Sequence, residues 1–390
     1  MTNIILFDQP EVRLELLPLT FTRPVALVRF GLTTMMEKWQ TAIPEAQFSF
    51  ETQDYLSQKY PMQLAPADGD NLHIAAHVVP DNALTDAILA LRPGEALTAG
   101  GERVAWRGLG TDVLKDVAYT GADPLALHHI WDLFMLNGEA ISRDFDLVTA
   151  GRESQPLSPT CRLVGNPAML FIEPGATVEC ANINVTHGPV YIGRDAEVME
   201  GACLRGPVAM CEHSVVNMGG KIYGPTTLGP YCKVGGELNN VVMTGYSNKA
   251  HDGFIGNAVV GEWCNLGAGC TASNLKNTYG PVRVWSYAKG SFVKTGLQFC
   301  GLIMGDHSKA GINTMFNTAT TVGVGVNFYG AGFPRTLIPS FSEGSVAGMK
   351  EVDMDRFFDG AARMMARRHV TLTEMDKEIL IHVRETGDKI

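Results

Sequence analysis

The sequence predicts a chain of mixed fold class, in which a small α/β domain is followed by a parallel β-helix and a helical C-terminal tail. Three observations predict this order: an α/β texture at the start, an apolar residue at every sixth position in the middle, and two amphipathic helical stretches near the end. The expected boundaries are 1–150 for the α/β domain, 151–169 for a linker, 170–335 for the β-helix and 350–390 for the C-terminal helices.

Residues 1–150 have the pattern of a small α/β domain. Apolar stretches at 4–7 and 77–80 predict short buried strands, and 83–91 predicts a helix that ends before a Pro-Gly pair. A further apolar pattern at helical spacing covers 124–137. About 150 residues is small for a complete α/β enzyme domain, so a reduced version of such a domain is expected.

The middle of the chain repeats with a period of six residues. Eight successive in-phase positions are apolar without a miss: Ile192, Val198, Leu204, Met210, Val216, Ile222, Leu228 and Val234. Six fits neither the 3.6-residue period of an α-helix nor the two-residue period of an amphipathic strand. It is typical of a hexapeptide β-helix, whose stacked three-sided coils bury one continuous core. Chance spacing in a glycine-rich β protein is the alternative, and eight consecutive matches make it the weaker one.

The segments that flank the β-helix differ from it in composition. Residues 151–169 are rich in Pro and Ser and predict a linker. After the β-helix, an apolar stripe predicts one amphipathic helix around Phe357 and Ala361, and Thr373 with Asp376 predicts the start of a second. Such a helix pair could cap the open end of the β-helix or pack on a neighbouring subunit.

Composition excludes several kinds of protein. A formal net charge of −10 over 390 residues argues against nucleic acid as a general partner. No apolar run approaches the 18 residues of a membrane span, and the first ten residues lack a signal-peptide pattern, so we expect a cytoplasmic protein without a membrane partner. Eight cysteines without a CxxC pair predict a reduced chain, and their spacing does not predict a cysteine zinc site.

Two interruptions of the six-residue period, at 239–253 and 273–301, predict loops that leave the β-helix, where functional residues collect. The first contains a single histidine, His251, and the second is approached through amides and a Gly-Ala-Gly bend at 267–269. A histidine can take a proton from an attacking amine or hydroxyl, a contribution of roughly 10²–10⁴-fold, and a backbone N–H can stabilise the developing oxyanion. This pattern favours acyl transfer. The alternative is that His251 is a loop histidine bonded to its neighbours.

Three motifs in this region resemble the acetyltransferase half of the GlmU-like bifunctional UDP-N-acetylglucosamine pyrophosphorylase/glucosamine-1-phosphate N-acetyltransferases. They are NKAHDGFIGN, WCNLGAGCTASNLKN and GLIMGDHSKAGINT, in order on the hexapeptide background. The whole chain also resembles sugar nucleotidyltransferases with a hexapeptide-repeat acyltransferase domain, through LLPLTFTRPVA near the start and GFPRTLIPSF after the β-helix. The resemblance implies a left-handed β-helix, a homotrimer and acetyl-CoA as the cofactor.

The resemblance also implies a role for each matching position. His251 falls on the catalytic base and Asn274 on an amide that orients the nucleophile. The expected substrate-binding residues are Lys221, Glu237, Asn239, Lys249, Phe254, Asn265, Lys276 and Arg283, and the expected cofactor-binding residues are Ala268 and Asp306. Phe254 replaces a family Tyr that holds the sugar phosphate, and Asn239 replaces a Lys, so the exact acceptor stays open.

The N-terminal half matches its family less well. Sugar nucleotidyltransferases follow their first strand with a glycine-rich loop that binds nucleotide phosphates, whereas residues 8–13 contain no glycine. Arg13 and Arg23 remain as expected nucleotide-binding residues, and Asp81 as the expected Mg²⁺ ligand. Whether this half transfers a uridylyl group stays open, with a structural or regulatory relic as the alternative.

The sequence therefore predicts an acetyl-CoA-dependent N-acetyltransferase that acts on an amino-sugar phosphate. By the resemblance, the acceptor is glucosamine 1-phosphate and the pathway is UDP-N-acetylglucosamine and cell-envelope precursor synthesis, with UTP as a second substrate if the N-terminal half is active. Two alternatives stay open. The acceptor could be a nucleotide-linked amino sugar, or the chain could be a trimeric binding or scaffold protein with an inactive nucleotidyltransferase domain.

Overall fold

A computed structural model describes residues 2–65, 70–109 and 115–387 of the chain. They form two compact units. The N-terminal unit contains Met1–Leu16, Thr22–Arg29 and Thr33–His129, and the coil unit contains Leu17–Phe21, Phe30–Leu32 and Ile130–Ile390. The division falls before the predicted boundary at 150, because residues 130–149 pack with the β-helix.

The N-terminal unit is built on a six-stranded mixed sheet. In spatial order its strands are Gln47–Glu51, Asn3–Phe7, Asn71–Ala75, Glu102–Arg107, Glu95–Ala99 and Lys115–Ala118. The first three strands are parallel, and the fourth runs antiparallel to both of its neighbours. Ile4, Ile5 and Leu6 are fully buried, as expected for a strand covered on both faces.

Short helices complete the N-terminal unit. They are the α-helices Pro10–Glu15, Met35–Ala42, Asp54–Ser57 and Asn82–Leu89 and the 3₁₀ helix Val25–Leu27, with short strands at Arg29–Phe30 and Thr33–Thr34. The helix predicted at 83–91 is thus confirmed. The strand predicted at 77–80 is wrong, because the sheet strand ends at Ala75 and only Val78 forms an isolated bridge, to Ala126.

The predicted parallel β-helix is confirmed in the coil unit. One sheet contains Arg162–Val164, Leu170–Ile172, Asn182–Asn184, Val190–Ile192, Cys203–Arg205, Val208–Met210, Lys221–Tyr223, Thr226–Leu228, Glu237–Gly245, Phe254–Glu262, Ile303–Met304, Thr321–Val322 and Leu337–Ile338. Another contains Thr177–Val178, Glu197–Val198, Val215–Val216, Lys233–Val234, Asn248–Lys249, Asn265–Leu266, Lys309–Ala310, Asn327–Phe328, Ser342–Ser345 and the antiparallel Gly348–Glu351. Thr271–Ala272 pairs with Met315–Phe316.

The interior of the β-helix follows the six-residue period. All eight in-phase apolar residues from Ile192 to Val234 are buried in one continuous core. Val216 pairs with Val234, eighteen residues further on, so three hexapeptides complete one coil. The coil is longer than the predicted 170–335. It begins at Arg162–Val164, inside the predicted linker, and continues to Ser342–Ser345.

The two interruptions of the period have different structures. The second, at 273–301, leaves the coil as predicted. It carries the hairpin Arg283–Ser286 with Ser291–Lys294. The first, at 239–253, is a shortened coil, so the predicted loop is wrong there. Val234 pairs with Lys249, only fifteen residues on, and the strand Glu237–Gly245 runs continuously where the preceding coils have two strands.

Rings stack along one corner of the β-helix, a feature that the sequence did not indicate. We call His213, Tyr231, Tyr246, Trp263 and His307 the aromatic corner. All five have a positive φ, and successive rings stack with centroids 4.2–6.3 Å apart. A positive φ is unfavourable for residues with a Cβ, so stacking contributes to holding the chain in this turn.

The C-terminal helices, Met354–Ala366 and Glu374–Thr386, are confirmed, and the first packs on the side of its own chain. Phe357 contacts His307 and Phe341 edge-on, with ring centroids 5.9 and 5.3 Å apart. The first helix therefore packs against the aromatic corner at His307. In the part of the chain that the structure describes, no helix has the length and apolarity that crossing a membrane requires.

Two helices, Asp132–Met135 and Asn137–Thr149, belong to the coil unit, together with 3₁₀ turns at Leu19–Phe21 and Pro167–Met169. Asn137 fastens the longer helix, because its Oδ1 accepts from Thr227 Oγ1 and from the Gly31 N–H, each at 3.1 Å. These hydrogen bonds explain why the two helices pack with the β-helix rather than with the preceding α/β domain.

Candidate functional site

A second corner of the β-helix is formed almost entirely by glycine. Gly201, Gly219, Gly236, Gly253 and Gly269 occupy it on five successive coils, all with a positive φ, and we call this set the small-residue corner. At Gly253 (φ 121°), an added Cβ would overlap the Cys270 carbonyl, so glycine is required there. The corner is therefore lined by glycine at this turn of successive coils, in contrast to the aromatic corner.

His251 and Ala268 lie on adjacent coils at this corner. The Gly269 N–H donates to the Asp252 carbonyl at 3.0 Å, which joins the turn that carries His251 to the bend that carries Ala268. The His251 side chain is exposed. Among the described residues, the Ala268 N–H has no hydrogen-bond partner. The corner thus offers an imidazole and a free N–H donor from neighbouring coils.

Three predicted substrate-binding residues form one column beside the corner. Lys221 pairs in register with Glu237, and Glu237 pairs in register with Phe254, so they occupy the same position on successive coils. We call this set the outer column. Each residue of the outer column follows a glycine of the small-residue corner by one or two positions. The Phe254 N–H donates to Thr271 Oγ1 on the next coil at 3.3 Å. The register therefore aligns a cation, a carboxylate and an aromatic ring next to His251.

Two more predicted residues adjoin the outer column. Asn239 pairs in register with Gly256, where an added Cβ would lie 2.6 Å from the Phe254 ring and 2.7 Å from Asn274 Nδ2. Asn274 Nδ2 donates to Asn257 Oδ1 at 2.8 Å. Gly256 therefore makes room for the ring and the amide to come together. Sequence reasoning missed Asn257, which orients the Asn274 amide.

Lys249 lies inside the β-helix, although a phosphate-binding role on the surface was predicted. It occupies the slot that Val234 fills on the preceding coil and is only 1% exposed. Its Nζ donates to the carbonyl of His251 at 2.9 Å and to that of Gly235 at 3.2 Å. An inward side chain cannot reach a phosphate outside, so the predicted role is wrong. Lys249 instead holds the backbone on which His251 is carried.

Burial lowers the pKa of Lys249 to about 8, and the Cys270 thiol and the Asp252 carboxylate oppose this shift. Between pH 8 and 10.5 the unfolded state then binds more protons than the folded state, so the free energy of unfolding rises with pH across this window. We expect the wild type to gain roughly 2 kcal/mol over Lys249→Met in that window. Denaturant titration of both proteins from pH 7 to 11 measures this difference in the free energy of unfolding. A difference between the two proteins that stays constant with pH would contradict the expectation.

The other predicted residues of the coil unit lie away from the small-residue corner. Asn265 is exposed on the face that precedes the corner, paired in register with Lys309. Asp306 is buried beside the aromatic corner, where its Oδ1 accepts the Glu262 N–H at 2.8 Å.

The two other predicted substrate-binding cations form hydrogen bonds within the second interruption of the period. Lys276 Nζ donates to the Pro281 carbonyl at 2.7 Å. Arg283 Nη2 donates to the Phe292 carbonyl at 2.5 Å.

The predicted nucleotide-binding residues are buried in the N-terminal unit. A short helix, Pro10–Glu15, replaces the glycine-rich loop. Arg13 donates to the Tyr55 hydroxyl at 2.6 Å and lies 3.9 Å from Asp8, whose pKa is raised to about 6 by burial. Arg23 is also buried. The contacts of Arg13 with Tyr55 and Asp8 give this arginine a structural role.

Asp81, the expected Mg²⁺ ligand, begins the helix Asn82–Leu89. Its Oδ1 accepts the Leu84 N–H at 2.8 Å as an N-cap. Within residues 2–65, 70–109 and 115–387, Asp81 belongs to no group of three metal-ligating side chains. Because Mg²⁺ is commonly held by one or two carboxylates together with waters and substrate phosphates, the role of Asp81 as its ligand stays a prediction.

The fold defines a chain in which a nucleotidyltransferase-like domain precedes a parallel β-helix, and comparisons with known proteins agree. Residues 4–153 match the model of a family described as sugar nucleotidyl transferase. The bifunctional sugar-1-phosphate nucleotidylyltransferase/acetyltransferase of Sulfurisphaera tokodaii is 29% identical over 36% of this chain and 35% of its own length. The bifunctional protein GlmU of Trichodesmium erythraeum is 24% identical over 48% of this chain and 33% of its own. These matches confirm the resemblance that the motifs indicated.

Each match covers only part of the proteins compared. The chain spans about a third of the length of the curated relatives it matches. Among solved structures, the UDP-N-acetylglucosamine acyltransferase of Francisella novicida is 10% identical, covers 58% of this chain and 76% of its own, and has a TM-score of 0.28. At that TM-score, the structural similarity carries no argument about this chain.

Proposed function

We propose that the chain is an acetyl-CoA-dependent N-acetyltransferase whose acceptor is an amino-sugar phosphate, with glucosamine 1-phosphate as the first candidate. The observation that carries this proposal is the register of the outer column, which aligns Lys221, Glu237 and Phe254 beside the corner that carries His251. The names of the relatives, which include an acetyltransferase, support the same reaction class.

The proposed reaction uses His251, Ala268 and Asn274, which lie at or beside the small-residue corner. Acetyl-CoA supplies a thioester carbonyl. His251 would accept the proton of the acceptor amine as the amine attacks this carbonyl, and the free N–H of Ala268 would donate to the carbonyl oxygen as negative charge develops there. The C–S bond would then break, and coenzyme A would leave as its thiol with the proton that His251 returns. Asn274, oriented by Asn257, positions the amine. The Gly267-Ala268-Gly269 bend has no large side chain, so a long cofactor could lie along it.

The outer column binds the sugar phosphate in this proposal. Lys221 is exposed at its start and attracts the phosphate, while Glu237 accepts from sugar hydroxyls. Phe254 provides an apolar surface for the sugar ring but no hydrogen-bond donor. In this proposal, Lys221 and Glu237 bind the phosphorylated sugar without the tyrosine that the resemblance leads us to expect at position 254.

A tyrosine at position 254 should strengthen phosphate binding. A new hydroxyl that donates to a charged group contributes roughly 1.5–3 kcal/mol. We therefore expect Phe254→Tyr to lower the KM for glucosamine 1-phosphate about tenfold or more. Steady-state kinetics with glucosamine, which lacks the phosphate, provides the control, and its KM should not change. An equal fall for both acceptors would argue against phosphate contact at this position.

A thiol-release assay over a panel of acceptors tests the proposed function. With acetyl-CoA, glucosamine 1-phosphate should give turnover well above glucosamine and above a UDP-linked amino sugar. Turnover only with the nucleotide-linked sugar would favour the second acceptor class. No turnover with any amine would overturn the enzyme proposal and favour a binding or scaffold protein.

We also propose that the chain acts as a homotrimer with the small-residue corner at the interface. Met218 and Ile312 are large apolar side chains that lie exposed at this corner. Methionine is enriched and charged residues are depleted at the centre of subunit interfaces, so these side chains support an interface at this corner. Light scattering in solution measures the oligomeric state, and a monomer at micromolar concentration would exclude this arrangement.

The proposal extends less strongly to uridylyl transfer by the N-terminal unit. The family match at residues 4–153 supports it, whereas the helix in place of the glycine-rich loop and the buried Arg13 oppose it. Pyrophosphate release from UTP and a sugar 1-phosphate tests this activity independently of acetyl transfer.

A further inference from the structure

Three metal-ligating side chains come together in the N-terminal unit, and none of them has a part in the function proposed above. His77, Glu102 and His128 each offer one ligand atom, and these atoms all lie within 4.8 Å of one another. Glu102 stands between the histidines, with Oε2 3.5 Å from His77 Nε2 and Oε1 3.6 Å from His128 Nε2. Among the described residues no other such group of three occurs.

Backbone contacts hold these side chains in place. Glu102 is the first residue of the strand Glu102–Arg107 in the central sheet. The Leu127 N–H donates to the His77 carbonyl at 3.0 Å, which fastens the segment carrying His128 beside the segment carrying His77.

His77 supplies the second, independent observation. Its side chain is only 1% exposed, and neither ring nitrogen has a hydrogen-bond partner among the described residues. At 3.5 Å, the Glu102 oxygen is too distant to satisfy His77 Nε2 fully. Buried polar groups without partners are rare in folded proteins and call for an explanation. A cation bound to this nitrogen would provide one.

The other two side chains give access from solvent. The Glu102 side chain is 25% exposed and that of His128 is 46% exposed, so an ion can enter without unfolding the sheet. The site would have one buried ligand and two on the solvent side. Three protein ligands with a fourth position open to water is the arrangement found in tetrahedral zinc sites that bind further ligands.

The ligand types select the kind of cation. Two imidazoles and one carboxylate suit zinc and neighbouring transition ions, whereas Mg²⁺ prefers oxygen ligands only. Nitrogen or oxygen ligands about 2.0–2.1 Å from a tetrahedral zinc ion lie roughly 3.4 Å from each other. The observed separations of 3.5 and 3.6 Å are close to this value. We propose that His77, Glu102 and His128 bind one Zn²⁺ ion.

Metal binding can be measured without any assay of activity. The full-length chain is freed of metal, kept reduced, and titrated with Zn²⁺ in competition with a chromogenic chelator. We expect one tight site per chain in the wild type, with affinity reduced about 100-fold or more in His128→Ala and in Glu102→Gln, since even supporting residues contribute 10–100-fold. His129→Ala is the matched control, because this neighbouring histidine pairs with Glu15 at 3.6 Å and is outside the group. It should bind as the wild type does.

Both test residues are partly exposed, and circular dichroism of each variant establishes that it is folded before the titration. All variants keep the eight cysteines, so zinc held by thiols would survive every substitution. Wild-type affinity in both His128→Ala and Glu102→Gln would therefore overturn the proposal. So would the absence of a tight site in the wild type, or displacement of Zn²⁺ by an equal concentration of Mg²⁺.

Discussion

Replacement of His251 by alanine is expected to lower the turnover number for acetyl transfer by about 10²–10⁴-fold, the usual contribution of a general base. The side chain is exposed at the small-residue corner, and the backbone there is held by Lys249 and by the Gly269 N–H. The substitution should therefore leave the β-helix folded. Single-turnover kinetics with saturating acetyl-CoA and acceptor measures the chemical step directly.

His187→Ala is the matched control for this experiment. His187 is also exposed on the β-helix but does not lie at the small-residue corner, so its replacement should leave turnover unchanged. Normal acetylation by His251→Ala would contradict the base assignment. Equal losses of turnover in both variants would show that the effect is not specific to position 251. This result would also contradict the base assignment.

The second large effect is expected for Trp263→Ala at the aromatic corner. Trp263 is buried, with its ring 4.2 Å from that of Tyr246 and 6.3 Å from that of His307. Truncating a buried tryptophan costs about 3–5 kcal/mol, and here the alanine would also have to keep a positive φ without stacking. We expect a loss of this size in the free energy of unfolding of the coil unit, measured by denaturant titration and circular dichroism.

Trp263→Phe separates stacking from simple loss of volume. Phenylalanine keeps an aromatic ring in the stack, so this variant should lose much less stability than Trp263→Ala. Both variants retain the small-residue corner and should acetylate normally at temperatures where they are folded. If alanine and phenylalanine at position 263 gave equal stability, the stack would not stabilise this corner.

The period of the apolar residues was sufficient to predict the β-helix. Each inward residue from Ile192 to Val234 lies in the core because the repeat is local and the coils in this range all have the same length of eighteen residues. The prediction was wrong for Lys249, because the coil that contains it is fifteen residues long rather than eighteen. A single shortened coil shifts the register, and the period alone cannot show which residues then point inward.

Features that depend on distant parts of the chain could not be predicted. The rings of the aromatic corner are spaced irregularly along the chain, and they meet only because coils of different length stack in register. His77, Glu102 and His128 come together through the strand order of the sheet and a bridge between Val78 and Ala126. By contrast, motifs alone were enough to nominate His251 and Ala268, because each lies within a short contiguous segment, and their roles stay predictions.

A crystal structure of the complex with coenzyme A and glucosamine 1-phosphate would test the acyl-transfer site most directly. We predict that the sugar amine lies about 3 Å from a ring nitrogen of His251, within hydrogen-bond reach. We also predict the phosphate next to Lys221 and the thiol of the cofactor at the Gly267-Ala268-Gly269 bend. A sugar bound away from the outer column, or His251 turned away from the amine, would contradict the account.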